Sequence, residues 1–251
     1  MEGCFMTIIN TPFPVLDKGH VTLIDLLPHP LTGITPDMAV VNAARVSFNG
    51  ASKGEDADKR LLMRLYKDRH TSPFEMVVFQ WRIKAPVLVW WQWVRHRMAS
   101  YSAQSGRYVE FTEDEFYVPD EWRAQSQSNK QGSDGLIDFD DAQDLTVRLR
   151  SHYMNSFDLY QLALDRGVAR EQARLFLPGW ASYYTFMVKM DAHNALNFFK
   201  LRMAQDAQWE IRQYANVMYE QTFKPLMPWT AEAFETYTLP APIVRMSNRD
   251  A

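Results

Sequence analysis

The apolar positions of this chain change period along its length, and the changes mark its elements. Val21 to Leu27 (VTLIDLL) is a short apolar run closed by Pro28 and Pro30, which predicts a strand. Pro36-Asp37-Met38 opens a predicted helix through Ala44, because proline suits a first helical turn. From Glu55 to Arg69, Leu61, Leu62 and Leu65 recur with Met63 and Tyr66 under a charged face, a helical pattern that His70-Thr71-Ser72-Pro73 breaks. Met76 to Lys84 (MVVFQWRIK) is β-branched and aromatic, and predicts a strand. Pro86 starts a predicted helix through Trp90, Trp91 and Trp93 to about His96. Arg107 to Phe111 and Glu115 to Val118 read as short extended pieces.

The second half is mostly helical. A polar, low-complexity stretch, residues 124–138, has little to bury and predicts a mobile surface loop. Leu145 to Leu164 predicts a helix stopped by Arg166-Gly167, and Ala169 to Leu177 a shorter one ended by Pro178-Gly179. Ser182 to Met190 predicts a strand, after which Asp191 caps a helix from Ala192 to about Met203. Ala207 to Lys224 predicts another helix, and a short helical piece after Pro228 precedes Pro-rich coil. Strands fall singly between helices, so the fold class is α/β (α+β), expected as one domain over residues 1–251. No Gly-x-Gly-x-x-Gly follows a strand and no Walker-type loop occurs, so the common dinucleotide and P-loop architectures are unsupported.

Composition narrows the function classes. The 251 residues suffice for a sizeable core, and 8 Trp, 11 Tyr and 15 Phe suit a core, an interface or a stacking site, among which composition does not choose. A net charge of −3 argues against a broad nucleic-acid footprint. Cys4 is the only cysteine, which excludes an intrachain disulfide and multi-Cys zinc sites; no metal is expected. The start MEGCFMTIIN lacks a signal-peptide pattern, and the most apolar stretch, Ala85 to Val94, is about half a membrane span, so a cytoplasmic protein without a membrane partner is expected.

The densest chemistry runs from Arg95 to Tyr108 (RHRMASYSAQSGRY), with three arginines, a histidine, three serines and a glycine. Guanidinium forks match phosphate oxygens, and serine hydroxyls with Gly-flanked N–H groups add neutral donors. An Arg-His-Arg at a helix C-terminus is equally what the helix dipole favours by itself.

The full pattern, Arg95-His96-Arg97, seven residues, Ser105, then Gly106-Arg107, closely resembles the signature of the flavin-dependent thymidylate synthases. The resemblance continues upstream in Ala44-Arg45-Val46-Ser47-Phe48, His70-Thr71-Ser72-Pro73-Phe74-Glu75 and Ala85-Pro86 through Gln92-Trp93. Downstream it includes Arg170-Glu171, Ala173-Arg174, Leu177-Pro178, Asn197-Phe198, Leu201-Arg202 and Ala207-Gln208-Trp209-Glu210-Ile211, reaching about Tyr214. It implies reductive methylation of dUMP to dTMP, with methylenetetrahydrofolate as carbon donor, FAD reduced by NADPH, and tetrahydrofolate released. It also implies a central mixed sheet flanked by helices and a homotetramer whose sites lie between subunits.

Residue by residue, the resemblance places Gln92, Trp93, Val94, Arg95 and the loop Ala103, Gln104, Ser105, Gly106 and Arg107 at dUMP. It adds Arg174 from a neighbouring subunit, and Arg202 as the catalytic residue beside the uracil ring. For FAD it implies His70, Ser72, Glu75, Arg95, His96, Arg97, Asp191, Ala192, His193 and Asn197. Read without it, Arg174 is a surface salt bridge and Arg202 an ordinary amphipathic-helix residue. Cys4 lies outside the matched region, against the classical cysteine-dependent synthase, and Ser105 has no base near it in sequence and reads as a binding donor. The chain departs from the family pattern at Ser102 and Ala103, where Asn and an acid are commoner, at Asp191 (usually Asn) and at Asp206 (often His). Added carboxylates near an anionic cofactor weaken its binding unless solvated or paired. The alternatives are a flavoprotein acting on another pyrimidine nucleotide, a non-catalytic nucleotide- or RNA-binding protein, and a structural protein with no ligand.

Overall fold

A computed structural model describes residues 7–239 apart from 49, 109, 113–114 and 128–131; Cys4 lies outside the described residues. Strands β1 (Pro12–Val15), β2 (Gly19–Leu27), β3 (Val78–Pro86), β4 (Ser100–Ala103) and β7 (Tyr183–Asp191) form one sheet in the order β1-β2-β3-β7-β4. Every pairing between these strands is antiparallel; the one parallel contact among the described residues is the isolated bridge Ile9–Leu23. The α/β (α+β) class stands, with an antiparallel sheet in place of the mixed one expected.

β3 is central because its alternation allows it. Phe79, Trp81, Ile83 and Ala85 are fully buried while Gln80 and Arg82 are exposed. Phe79 and Trp81 stack at 5.1 Å, and the Trp81 indole N–H reaches Thr222 Oγ1 at 3.0 Å, so the polar edge of a buried ring is satisfied. β1 lies at the sheet edge, where Pro12 and Pro14 are tolerated.

Helices α1 (Pro36–Arg45) and α2 (Glu55–Lys67) precede β3, and α3 (Val87–Trp93) follows it directly. α3 ends three residues before the expected His96. There the Tyr101 hydroxyl reaches the Trp93 and His96 carbonyls at 3.1 and 2.8 Å, satisfying acceptors of a finished helix. The expected extended piece at Arg107 to Phe111 begins instead with a turn over 106–108.

Within residues 124–138, expected as a mobile surface loop, part of the chain is paired as strand. β5 (Arg123–Gln125) and β6 (Ser133–Leu136) pair as an antiparallel hairpin, and residues 128–131 of the stretch lie outside the described residues. Backbone pairing and polar contacts hold it with little burial: Ser126 Oγ to Asp134 Oδ2 at 2.6 Å, and beside it Trp122 Nε1 to Thr146 Oγ1 at 2.9 Å. α4 (Phe139–Asp165) starts six residues earlier than expected because Asp138 accepts from the Asp140 N–H at 2.9 Å.

α5 (Arg170–Ala173) continues as a 3-10 turn, α6 (Ala192–Arg202) begins at its expected cap, and α7 (Trp209–Val217) runs into a π-helical stretch, Met218–Phe223. α8 (Pro228–Tyr237) is the helical piece expected after Pro228. Its first N–H groups are met from α1: Asp37 Oδ2 accepts from Trp229 N at 2.8 Å, and Oδ1 from Thr230 N at 3.2 Å and Thr230 Oγ1 at 2.6 Å. A second, smaller core forms where α4 and α5 pack on Phe116 and Val118. Among the described residues no helix is long and apolar enough to cross a membrane.

Candidate active site

The end of α3 faces the end of α6. Phe198 stacks on the fully buried Trp93 at 4.9 Å and meets the His96 ring edge-on at 4.9 Å, fixing one helix against the other. Arg202, at the last position of α6, then donates from Nε to His96 Nε2 at 2.9 Å, from Nη1 to Gln92 Oε1 at 3.2 Å and from Nη2 to the Gln92 carbonyl at 3.3 Å. Three of its five N–H donors are held, and two remain for a ligand. Burial, and then the Arg202 charge, push the His96 pKa down from 6.5 to about 4, so its imidazole is neutral and accepts. Arg95 and Arg97 are exposed on either side.

Trp93 and Ala192 take a different place from the one expected. Both are fully buried, the Trp93 indole against Phe186, Phe198 and Tyr214, so their side chains belong to the core and only main-chain atoms could meet a ligand. Val94 is the C-cap of α3, its N–H bonded to the Trp90 carbonyl at 3.0 Å.

A second group gathers where β4 leaves the sheet. Ala103 pairs with Phe186, and the Gln104 N–H reaches the Thr185 carbonyl at 2.8 Å, which anchors the loop. The Ser105 Oγ accepts from the Arg107 N–H at 3.3 Å; no base is bonded to it among the described residues, as suits a binding donor. Arg107 Nε lies 3.2 Å from Glu171 Oε2, and Arg170 binds Glu110 at 2.7 Å, tying loop to α5. Gly106 packs so tightly that a Cβ there would stand 2.8 Å from the Phe111 ring and 3.6 Å from Arg174 Nη1. Ser105, Gly106, Arg107 and Arg174 therefore converge within one chain.

The third group lines a cavity of about 580 Å³ between the end of α2, the turn after it, α6 and the end of α8. His70, His193 and Asn197, three of the expected cofactor residues, share its wall with Lys67, Arg69 and Lys200. Among the described residues no carboxylate lines it, which fits a polyanionic ligand such as a flavin dinucleotide. Ser72 lies next to the lining residue Thr71, in the 3-10 turn Ser72–Met76, and Glu75 in the same turn is exposed away from the lining. Asp191 is also off the wall: Oδ1 accepts from the Asn194 N–H at 2.9 Å and Oδ2 from Asn194 Nδ2 at 2.7 Å. Its carboxylate is thereby paired as the cap of α6, which removes much of the cost expected where Asn is usual. Asp206 is exposed and solvated.

Sequence reasoning missed Tyr101, Phe198, Lys67, Lys200 and Tyr237. The i, i+4, i+7 spacing of His193, Asn197 and Lys200 on the predicted helix was a usable signal for one of them.

Comparison with known proteins shows which family the chain belongs to. The family model described as thymidylate synthase complementing protein (Thy1) matches residues 31–229. A flavin-dependent thymidylate synthase of Thermus thermophilus is 44% identical over 227 residues, covering 90% of this chain and 79% of its own. One from Thermotoga neapolitana is 40% identical over 234 residues, covering 92% and 98%. Two crystal structures of the UMP/dUMP methylase PolB from Streptomyces cacaoi superpose well. The complex with 5-Br UMP has a TM-score of 0.76 at 31% identity, covering 89% of this chain and 96% of that one. The complex with 5-Br dUMP has a TM-score of 0.77 at 30% identity, covering 90% and 98%.

Proposed function

Because the chain belongs to the thymidylate synthase complementing protein family, we propose that it methylates dUMP to dTMP with methylenetetrahydrofolate as carbon donor and FAD, recharged by NADPH, as reductant. The observation that carries this reading is Arg202, held by His96 and Gln92 at the end of the helix whose other turns line the carboxylate-free cavity. FAD would be held by His70, His193 and Asn197 with the cavity cations, and when bound it supplies the reducing electrons.

The chain's own residues then have separate tasks. Ser105, the Gly106 backbone, Arg107 and Arg174 supply hydroxyl, N–H and guanidinium donors to the nucleotide phosphate. Arg202 stands as a fixed cation beside the uracil and favours the negative charge that develops as the ring is activated at C5. The neutral His96 orients that guanidinium without competing for charge. Arg95, His96 and Arg97 offer further donors between nucleotide and cofactor.

We place the enzyme in the cytoplasm as a homotetramer with shared sites and no nucleic-acid or membrane partner. Support for shared sites comes from the large apolar side chains exposed near the site, among them Trp91, Met98, Leu175, Trp180 and Leu201. A second reading, action on UMP as well, rests on the solved relatives described as UMP/dUMP methylases.

The test is anaerobic dTMP formation by the purified chain with FAD, dUMP, methylenetetrahydrofolate and NADPH, omitting each in turn and running UMP in parallel. Product only in the complete mixture, with tetrahydrofolate released, is the expected result. A folded protein that holds FAD yet leaves both nucleotides untouched overturns the proposal.

A further inference from the structure

The family match ends at residue 229, yet the cavity that would hold FAD is completed by residues beyond it. Tyr237 and Thr238, at the end of α8, are part of its wall. They are fastened there, since the Tyr66 and Thr238 hydroxyls are 2.6 Å apart and Tyr66 packs edge-on against Phe74 at 5.9 Å. Tyr237 itself is 45% exposed, and Lys67 Nζ sits 5.8 Å from its ring centroid. An aromatic ring held at a cavity rim, with a cation over it, offers a stacking surface and a phosphate partner together.

We infer that Tyr237 and Lys67 bind the adenosine diphosphate half of the dinucleotide, Tyr237 by stacking on the adenine and Lys67 by pairing with a phosphate. This rests on the flavin reading of the cavity. The half follows from which residues line the cavity. The reacting ring of the cofactor has to approach Arg202 and His96, neither of which lines the cavity. The non-reacting half is then the part left in the cavity, beside the Tyr237 ring and Lys67.

The experiment is titration of the flavin-free full chain with FAD and, separately, with FMN, which lacks the adenosine half, followed by quenching of flavin fluorescence. Wild type binds FAD more tightly than FMN. Tyr237→Leu weakens FAD about tenfold, in the range of a lost base–aromatic stack, and leaves FMN unchanged. Tyr237→Phe, which keeps the ring, restores FAD affinity. Lys67→Gln, at an exposed position that does not threaten folding, weakens FAD several-fold at low salt and less at high salt. Wild-type affinity for FAD in both Tyr237→Leu and Lys67→Gln, or an equal loss for FAD and FMN, overturns the inference while leaving the proposed function standing. A wild type that binds neither flavin overturns both.

Discussion

Arg202 Nε donates to His96 Nε2 at 2.9 Å, so the imidazole keeps its one proton on Nδ1 and stays neutral. That bond has a pH signature. The folded pKa of His96, about 4, lies below the ordinary 6.5, so the unfolded chain takes the proton first as pH falls. The stabilising contribution is whole above 6.5 and is lost as pH falls from there towards 4. Urea unfolding across that window is expected to show a steeper loss for wild type than for His96→Asn; equal slopes would remove His96 from the account.

Arg107 is paired with Glu171 before any nucleotide arrives, and both side chains are more than half exposed. Exposed pairs of this kind are worth about 0–1 kcal/mol, so a phosphate need displace little. Glu171→Gln is expected to tighten dUMP binding about two- to fivefold at low salt, with the gain fading at high salt. Calorimetric titration at two salt concentrations checks this, and an unchanged affinity would show that Glu171 does not compete.

A Cβ at Gly106 would stand 2.8 Å from the Phe111 ring and 3.6 Å from Arg174 Nη1. A methyl group there pushes the ring or the loop, and overpacking of about 1–3 kcal/mol translates into roughly a tenfold rise in KM for dUMP in Gly106→Ala. Adding Phe111→Leu to that variant gives the methyl room and recovers most of the loss. Additive defects in the double variant would show that the contact is not the cause.

Asp37 ties α1 to the start of α8 through three donors. Asp37→Ala strands the buried N–H and hydroxyl of Thr230 and the part-buried N–H of Trp229, and is expected to lower stability by about 2–4 kcal/mol. Its pH behaviour is opposite in sign to that of His96. Burial raises the carboxyl from 3.8 to about 6, so this residue's contribution is whole below 3.8 and is lost as pH rises through about 6. Thermal unfolding of wild type and Asp37→Ala from about pH 4 to 7 is expected to show that component in the first and not in the second.

Much of this architecture was legible in the chain because local chemistry and tertiary packing agree. The alternation of β3, the Asp191 cap of α6 and the Pro228 start of α8 each follow from residues adjacent in sequence. The misreadings share another cause. The pairing of Arg123–Gln125 with Ser133–Leu136 comes with polar contacts that composition cannot reveal, and α3 stops where it does because of Tyr101, a residue on the next strand. At the site, the arginine and serine signature was readable, but Trp93 and Ala192, expected at the ligands, turn inward, since a motif records which positions matter and not which atoms face a ligand. Lys67 and Tyr237 reach the cavity from helices far apart in the chain, and no spacing rule connects them.

The 11 residues of α6 act as a ruler between two chemistries. The rise from His193 to Arg202 is about 13 Å of rigid rod. Removing or adding one residue between Lys200 and Arg202 would swing Arg202 by about 100° around the axis, away from His96 and Gln92, while the wall residues His193, Leu196, Asn197 and Lys200 stayed in place. Surface loops of this chain can change length at small cost. This helix cannot, because its turns line the carboxylate-free cavity and its last residue must still meet His96 and Gln92.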